Sequence, residues 1–133
     1  MNSKKIWLDP LYLEDLLNEE EKLIKNNTKK FCKQVLLPEV VKNNRNHFFN
    51  KDLYKEFGSM GLLGSNIKGY GSPEINKVSY GLIAYEIESI DSSYRSAISV
   101  QSSLVCHPIE LFGSEDQKKK YLPDLIKGNI IGC

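Results

Sequence analysis

Arg95 is the residue around which chemistry can most readily gather. From Ser92 to Ile109 it is the lone formally charged residue in a chain that is 26% charged overall; at that density about four or five charges would be expected in such a stretch. A guanidinium keeps its proton at every pH a protein meets, and burying it is costly unless a carboxylate or phosphate meets it. An anion therefore belongs beside it. Glu88, seven residues earlier, lies two turns away on the same face if the helix runs straight, and Asp91 is a nearer alternative. Two readings follow. In one, Arg95 forms a structural ion pair that ties two helices together. In the other, Arg95 and the neighbouring Ser96 hydroxyl receive a ligand's carboxylate in a planar, bidentate arrangement that lysine cannot reproduce, with Glu88 orienting the guanidinium.

Other reactive side chains carry less. His107 precedes Pro108 without a serine or cysteine motif to serve, so it reads as a helix-end histidine bonded to backbone, and His47 reads as solvated in a polar loop. Cys32 and Cys106 fall on helical stretches with no cationic cluster to lower their pKa, which makes them packed thiols. Gly69-Tyr70-Gly71 reads as a plain turn, too short to claim phosphate binding, and Tyr70, Tyr80, Tyr85 and Tyr94 as half-buried core residues. No residue qualifies from spacing alone as a catalytic base, a metal ligand or a cofactor contact.

The composition narrows the class. A length of 133 residues suits one domain with its own core, and 18 Lys plus Arg against 17 Asp plus Glu leave a net charge of +1, which creates no field for nucleic acid or an anionic membrane. Three scattered cysteines without a CxxC pair suggest neither a disulfide framework nor zinc. No run of about 18 apolar residues is long enough to insert in a membrane, and Met1-Asn2-Ser3-Lys4-Lys5 leads to Trp7 without a signal-type apolar core. A cytosolic, reducing location is expected.

The elements that must hold Arg95 are helices, and the spacing predicts an all-α fold. Asn18 caps a helix with Glu19-Glu20-Glu21 in its first turn and Leu23, Ile24, Phe31 and Val35 as its buried stripe. Pro38, after an extended Leu37, opens a second short helix with Val40 and Val41 inward, and residues 44–47 form a loop. Asn50 caps a third helix with Leu53, Phe57 and Met60 on one face and a stop at Gly61; Gly64 to Pro73 is loop. A fourth helix begins at Asn76, with Val78, Leu82, Ile83, Ile87 and Ile90 inward, and breaks at Asp91-Ser92-Ser93, which also caps the next. The charge-poor, serine-rich helix after it should be buried nearly all round and be ended or kinked by Pro108. Gly113 ends the following turn, and Ser114 with Gln117 forms a capping box for a last helix carrying Tyr121, Leu122 and Leu125, which yields at Gly128. Asn129-Ile130-Ile131-Gly132-Cys133 reads as the opening of a strand with no partner in the chain, as expected of a piece of something longer.

Val78-Ser79-Tyr80-Gly81-Leu82-Ile83-Ala84-Tyr85-Glu86-Ile87-Glu88, followed by Asp91-Ser92-Ser93-Tyr94-Arg95-Ser96-Ala97, resembles glutaryl-CoA dehydrogenases, and the likeness continues through Ser99-Val100-Gln101-Ser102-Ser103-Leu104-Val105 and His107-Pro108-Ile109. Gly61-Leu62-Leu63-Gly64 and Gly113-Ser114-Glu115-Asp116-Gln117-Lys118 resemble patterns of the wider acyl-CoA dehydrogenase family. The resemblance runs from about Asp9 to Cys133. One departure is Gly69-Tyr70-Gly71-Ser72-Pro73-Glu74, where relatives carry paired glycines after the tyrosine.

The resemblance implies that residues 1–133 are the amino-terminal helical-bundle domain of an FAD-dependent acyl-CoA dehydrogenase, stopping before the β-domain and lacking the carboxyl-terminal helical domain with its glutamate base. The complete enzyme would convert glutaryl-CoA to crotonyl-CoA by oxidation and decarboxylation, Arg95, Ser96 and Glu88 forming the site for the distal carboxylate. It also implies an electron-transferring flavoprotein as acceptor, a homotetramer, and an inactive fragment when the chain stands alone, with most of the FAD site beyond Cys133. Competing readings are an acyl-CoA dehydrogenase of other specificity, which does not require Arg95, and a non-catalytic helical interaction module.

Overall fold

The computed structural model describes residues 9–133, all helix, turn and loop with no strand among them. The stretch Met1 to Trp7, judged above not to be a signal, lies outside the described residues. No described helix is long and apolar enough to cross a membrane. A short 3-10 turn, Leu13–Leu16, opens the described chain, its first amides held by the Asp9 carboxylate at 2.9 and 2.8 Å.

Helix α1 (Glu19–Phe31) begins at the expected capping box: Asn18 Oδ1 accepts the Glu21 N–H at 2.9 Å and Glu21 returns the bond to the Asn18 N–H at 2.9 Å. The other Glu21 oxygen accepts from Asn76 Nδ2 at 2.9 Å. One buried carboxylate thus joins the start of α1 to the residue that caps α4 (Lys77–Glu88). Because Glu21, Thr28 and Phe31 face inward, Leu23 points to solvent, against the expected stripe.

Pro38 and Pro108 are accommodated in the same way, and neither ends its helical stretch. α1 runs through a π-helical segment, Cys32–Leu36, into α2 (Leu37–Arg45) without a break, Leu37 being helical at φ −58° rather than extended. Farther on, α5 (Ser92–Ser99) continues through a π-helical segment, Val100–Cys106, into α6 (His107–Phe112). Each proline is the second residue after its π segment. A proline ring clashes with the carbonyl four residues back in a regular α turn, and the wider π turn makes room for it; Leu37 N–H accordingly reaches Cys32 O, five residues back. In α2, Val40 lies against the core while Val41 is exposed, and the helix extends to Arg45, taking in half of the expected loop.

Asn50 does not cap α3 (Leu53–Ser59) directly; its side chain accepts from the Asp52 N–H at 3.0 Å, ahead of the helix. The stop at Gly61 is as expected, at φ +68°, with Leu62 N–H on Phe57 O at 2.9 Å and Gly61 N–H on Gly58 O at 3.0 Å. α4 is capped by Asn76 and α5 by Asp91. α7 (Glu115–Ile126) carries the Ser114–Gln117 capping box and ends before Gly128, which is left-handed at φ +72°.

Two clusters make the core. Phe31, Leu36, Phe57, Ile83, Ile87 and Ile98 centre the larger one, between α1, α3, α4 and α5; Ile67, Cys106, Leu122, Leu125 and Ile126 form the smaller, under α7. Val78, Met60 and Tyr121 are exposed at the rims, contrary to the expected stripes. Tyr94 is fully buried and Tyr85 is exposed, so those two tyrosines are not half-buried core residues.

The serine-rich stretch is buried on one side only. Tyr94, Ile98, Gln101, Ser102 and Cys106 face inward, while Ser96, Ser103, His107 and Leu104, the last 70% exposed, face out. Lack of charge did not mark a helix buried all round, because uncharged polar residues, Ser96, Ser103 and His107, occupy much of its exposed side. Residues 129–133 form no strand. A buried side chain, Gln101, takes the part of the missing partner: Nε2 donates to Leu125 O and Ile130 O at 2.9 Å each, and Oε1 accepts from Gly132 N–H at 3.0 Å.

Candidate functional site

Arg95 and Glu88 meet across the α4–α5 corner. Asp91 ends the connection between the helices with its carboxylate on the Ser93 N–H at 2.8 Å, so it caps α5 and leaves Arg95 to Glu88. Arg95 Nε donates to Glu88 Oε2 at 2.7 Å, and Ser92 Oγ donates to the other oxygen of Glu88. The Ser92 hydroxyl first, then the Arg95 guanidinium, hold the Glu88 carboxyl below the ordinary carboxylate value, so Glu88 is anionic at neutral pH.

The pair is part-exposed, 38% for the Arg95 side chain and 46% for Glu88. Of the five guanidinium donors, Nε is committed to Glu88, and Nη1 faces Ser99 Oγ at 3.5 Å, at the outer limit of a hydrogen bond. The remaining Nη hydrogens can meet a planar anion. Arg95 also lines an open groove of about 570 Å³, together with Gly81, Ala84, Tyr85, Glu88 and Ser89. Two of its lining residues, Gly81 and Ala84, are of the smallest types, and a Cβ built on Gly81 meets nothing within 4 Å. Ser96 is exposed on the next position of α5, about 100° farther round the helix. At the far end of the α4–α5 face, the Tyr80 hydroxyl and Ser103 Oγ are 3.2 Å apart.

The minor candidates settle quickly. His107 bonds a side chain, not backbone: its Nδ1 is 3.1 Å from Glu110, whose other oxygen accepts from the Lys68 N–H at 3.0 Å. His47 is exposed in its turn. Cys32 and Cys106 are buried, and loss of solvation pushes both thiols up to about 11. Gly69, Tyr70 and Gly71 form a turn with three consecutive positive φ angles, fastened by the Tyr70 hydroxyl to Glu115 at 3.1 Å. No cluster suited to a metal ion occurs among the described residues. Glu21 and Gln101 were missed as buried polar residues; the capping-box spacing could have drawn attention to Glu21, and nothing local marks Gln101.

A helical domain with an arginine–glutamate pair at the mouth of a shallow, small-residue groove is the class that fold and site define. Residues 18–129 match the family described as Acyl-CoA dehydrogenase, N-terminal domain, and the chain belongs to that family. It is 39% identical to a glutaryl-CoA dehydrogenase from Mycobacterium smegmatis solved in complex with FADH2, with a TM-score of 0.91 over 93% of this chain and 32% of that one. A probable acyl-CoA dehydrogenase of Bacillus subtilis is 35% identical over 96% of this chain and 22% of its own length. The mitochondrial isovaleryl-CoA dehydrogenase of Bos taurus is 32% identical over 88% and 28%. The chain therefore spans a third or less of the length of these relatives. Their substrates differ, so kinship fixes the family and leaves the acyl group to the site.

Proposed function

We propose that this chain is the amino-terminal helical domain, residues 1–133, of an FAD-dependent acyl-CoA dehydrogenase acting on glutaryl-CoA, that Arg95 and Ser96 receive the substrate's distal carboxylate, and that Glu88 completes the site by orienting the arginine. The observation that carries the reading is the state of Arg95: held at Nε by an ionised Glu88, and lining a groove together with Gly81 and Ala84. A structural ion pair alone needs no groove beside it. Glu88 fixes the plane of the guanidinium, and Ser96 supplies a neutral hydroxyl one residue farther along. The likeness to a glutaryl-CoA dehydrogenase supports the same choice of substrate.

Oxidation of the acyl chain in such an enzyme rests on the flavin, whose site is assigned mostly to the part of the enzyme beyond Cys133. Ser65 Oγ and Glu86 Oε1, buried without a hydrogen bond, belong to residues that do not line the Arg95 groove. The proposed share of this chain is substrate recognition; the hydride acceptor, the base and the contact with an electron-transferring flavoprotein are assigned to the rest of the complete enzyme.

The test is the specificity of Arg95→Leu in the complete enzyme. A charge-assisted hydrogen bond contributes about 1.5–3 kcal/mol, so kcat/KM for glutaryl-CoA should fall about 10- to 150-fold, while that for pentanoyl-CoA falls far less or rises. Equal losses on both substrates, with flavin retained, would place Arg95 in machinery common to all acyl chains and end the carboxylate reading. Unfolding of the variant would favour the structural ion pair.

A further inference from the structure

The π-helical segment Val100–Cys106 presents two buried polar side chains, and both bond backbone far away in sequence. Ser102 Oγ accepts the Gly64 N–H at 2.9 Å. Gln101, with no exposed surface, uses every hydrogen-bonding group of its amide except one acceptor lone pair. One Nε2 hydrogen goes to Leu125 O at the end of α7. The other goes to Ile130 O, and Oε1 takes the Gly132 N–H. The last two groups flank Ile131, and this is the pattern that one residue of a parallel strand offers its neighbour: a donor to the carbonyl before the opposed residue and an acceptor for the amide after it.

Gly132 suits the fit. A Cβ there would lie 2.3 Å from Val105 Cγ1, on the same π segment. The segment thus holds the chain at two adjoining points, by hydrogen bonds at Gln101 and by close approach at Val105. In a regular α-helix residues 101 and 105, four apart, share a face; the wider π turn, at about 4.4 residues, also brings 102 and 106 inward with 101.

We propose that Gln101 is a positioning residue whose amide reads the backbone of Ile130–Gly132 as a neighbouring β-strand would, and so fixes the path of that segment relative to the helix that carries Arg95. Arg95 and Gln101 stand six residues apart on one continuous helical stretch. Whatever adjoins Gly132 is thereby registered to the Arg95 groove by a side chain, in a region where no strand is present to do it. The inference is independent of the choice of glutaryl-CoA as substrate.

The test compares Gln101→Met and Gln101→Glu in the full-length protein by amide hydrogen exchange, normalised for intrinsic rate, from pH 5 to 8. Gln101→Met keeps the length and loses the amide: protection of Gly132 should fall tenfold or more, while amides of α1 and α4 change less than twofold. Gln101→Glu keeps an acceptor for the Gly132 N–H, so at pH 8 it should retain part of the protection that Gln101→Met loses, although a carboxylate cannot donate to Leu125 O or Ile130 O. It should regain more as the pH falls and the protonated acid supplies a donor beside the acceptor. Protection of Gly132 within twofold of the parent in Gln101→Met would overturn the proposal. So would a loss spread evenly over the domain in Gln101→Met with no recovery at low pH in Gln101→Glu, which would reduce Gln101 to core filling.

Discussion

Replacing Gly58 and Gly81 by alanine makes one chemical change at two helical positions and should move stability in opposite directions. At Gly81, in α4, the new methyl meets nothing within 4 Å. Only intrinsic preference acts, and alanine is favoured over glycine in a helix by about 0.8–1 kcal/mol. At Gly58, in α3, the methyl would fall 2.2 Å from the carbonyl oxygen of Lys127 and 2.3 Å from its carbon. Both atoms are backbone at the end of α7 and cannot rotate away, so α3 and the end of α7 must part by about 1 Å. Overpacking of this kind costs about 1–3 kcal/mol, and contact with rigid backbone puts it at the upper end; subtracting the gain in preference leaves a net loss of about 2 kcal/mol. Urea unfolding followed by helical circular dichroism, at equal slope, should separate the two variants by about 3 kcal/mol. A Gly58→Ala protein as stable as the parent would refute the close approach of α3 to the end of α7, and a Gly81→Ala protein less stable would refute the open space beside Gly81 on α4.

Further outcomes follow from buried and paired groups. Glu86 is buried with Oε1 unpartnered and 4.0 Å from a half-exposed Lys29, so Glu86→Met should leave the unfolding midpoint unchanged or raise stability by about 1 kcal/mol; a loss of that size would mean that the Lys29 contact outweighs desolvation. With the Cys32 and Cys106 thiols raised from near 9 to about 11, the unfolded state loses their protons first, so stability should decline as pH rises from 9 through 11. In native protein at pH 8 a maleimide should label exposed Cys133 and spare the other two; equal labelling would contradict their burial. Glu88→Gln in the complete enzyme keeps an acceptor for Arg95 Nε and should reduce kcat/KM for glutaryl-CoA less than Arg95→Leu does, whereas an equal or larger loss would reverse the ranking of the two residues.

Features set within a few residues were legible in the sequence. Asn18 with Glu21, Ser114 with Gln117, Asn76, Asp91 and the stops at Gly61 and Gly128 each act through bonds no more than five residues away, and each stands where expected. The Glu88–Arg95 pair was legible too, because seven residues bring two long, opposite charges within reach despite the break at Asp91. What depended on the rest of the fold was not. Pro38 read as the opening of a separate helix and Pro108 as an end or a kink because a regular α turn was assumed, and two π segments let both stretches run on. Leu23, Val41 and Val78 read as buried because apolar periodicity cannot say which face a neighbour covers, and at Leu23 the buried Glu21 decides it. Gln101 gave no signal, since its three partners lie 24 to 31 residues away.

The most direct test of carboxylate recognition is a crystal structure of the complete enzyme with a non-reactive glutaryl-CoA analogue bound. Recognition by Arg95 requires the distal carboxylate within about 2.7–2.9 Å of an Arg95 Nη atom, with the Nε bond to Glu88 retained. An analogue seated with its distal carboxylate elsewhere, and Arg95 still paired to Glu88 alone, would contradict it.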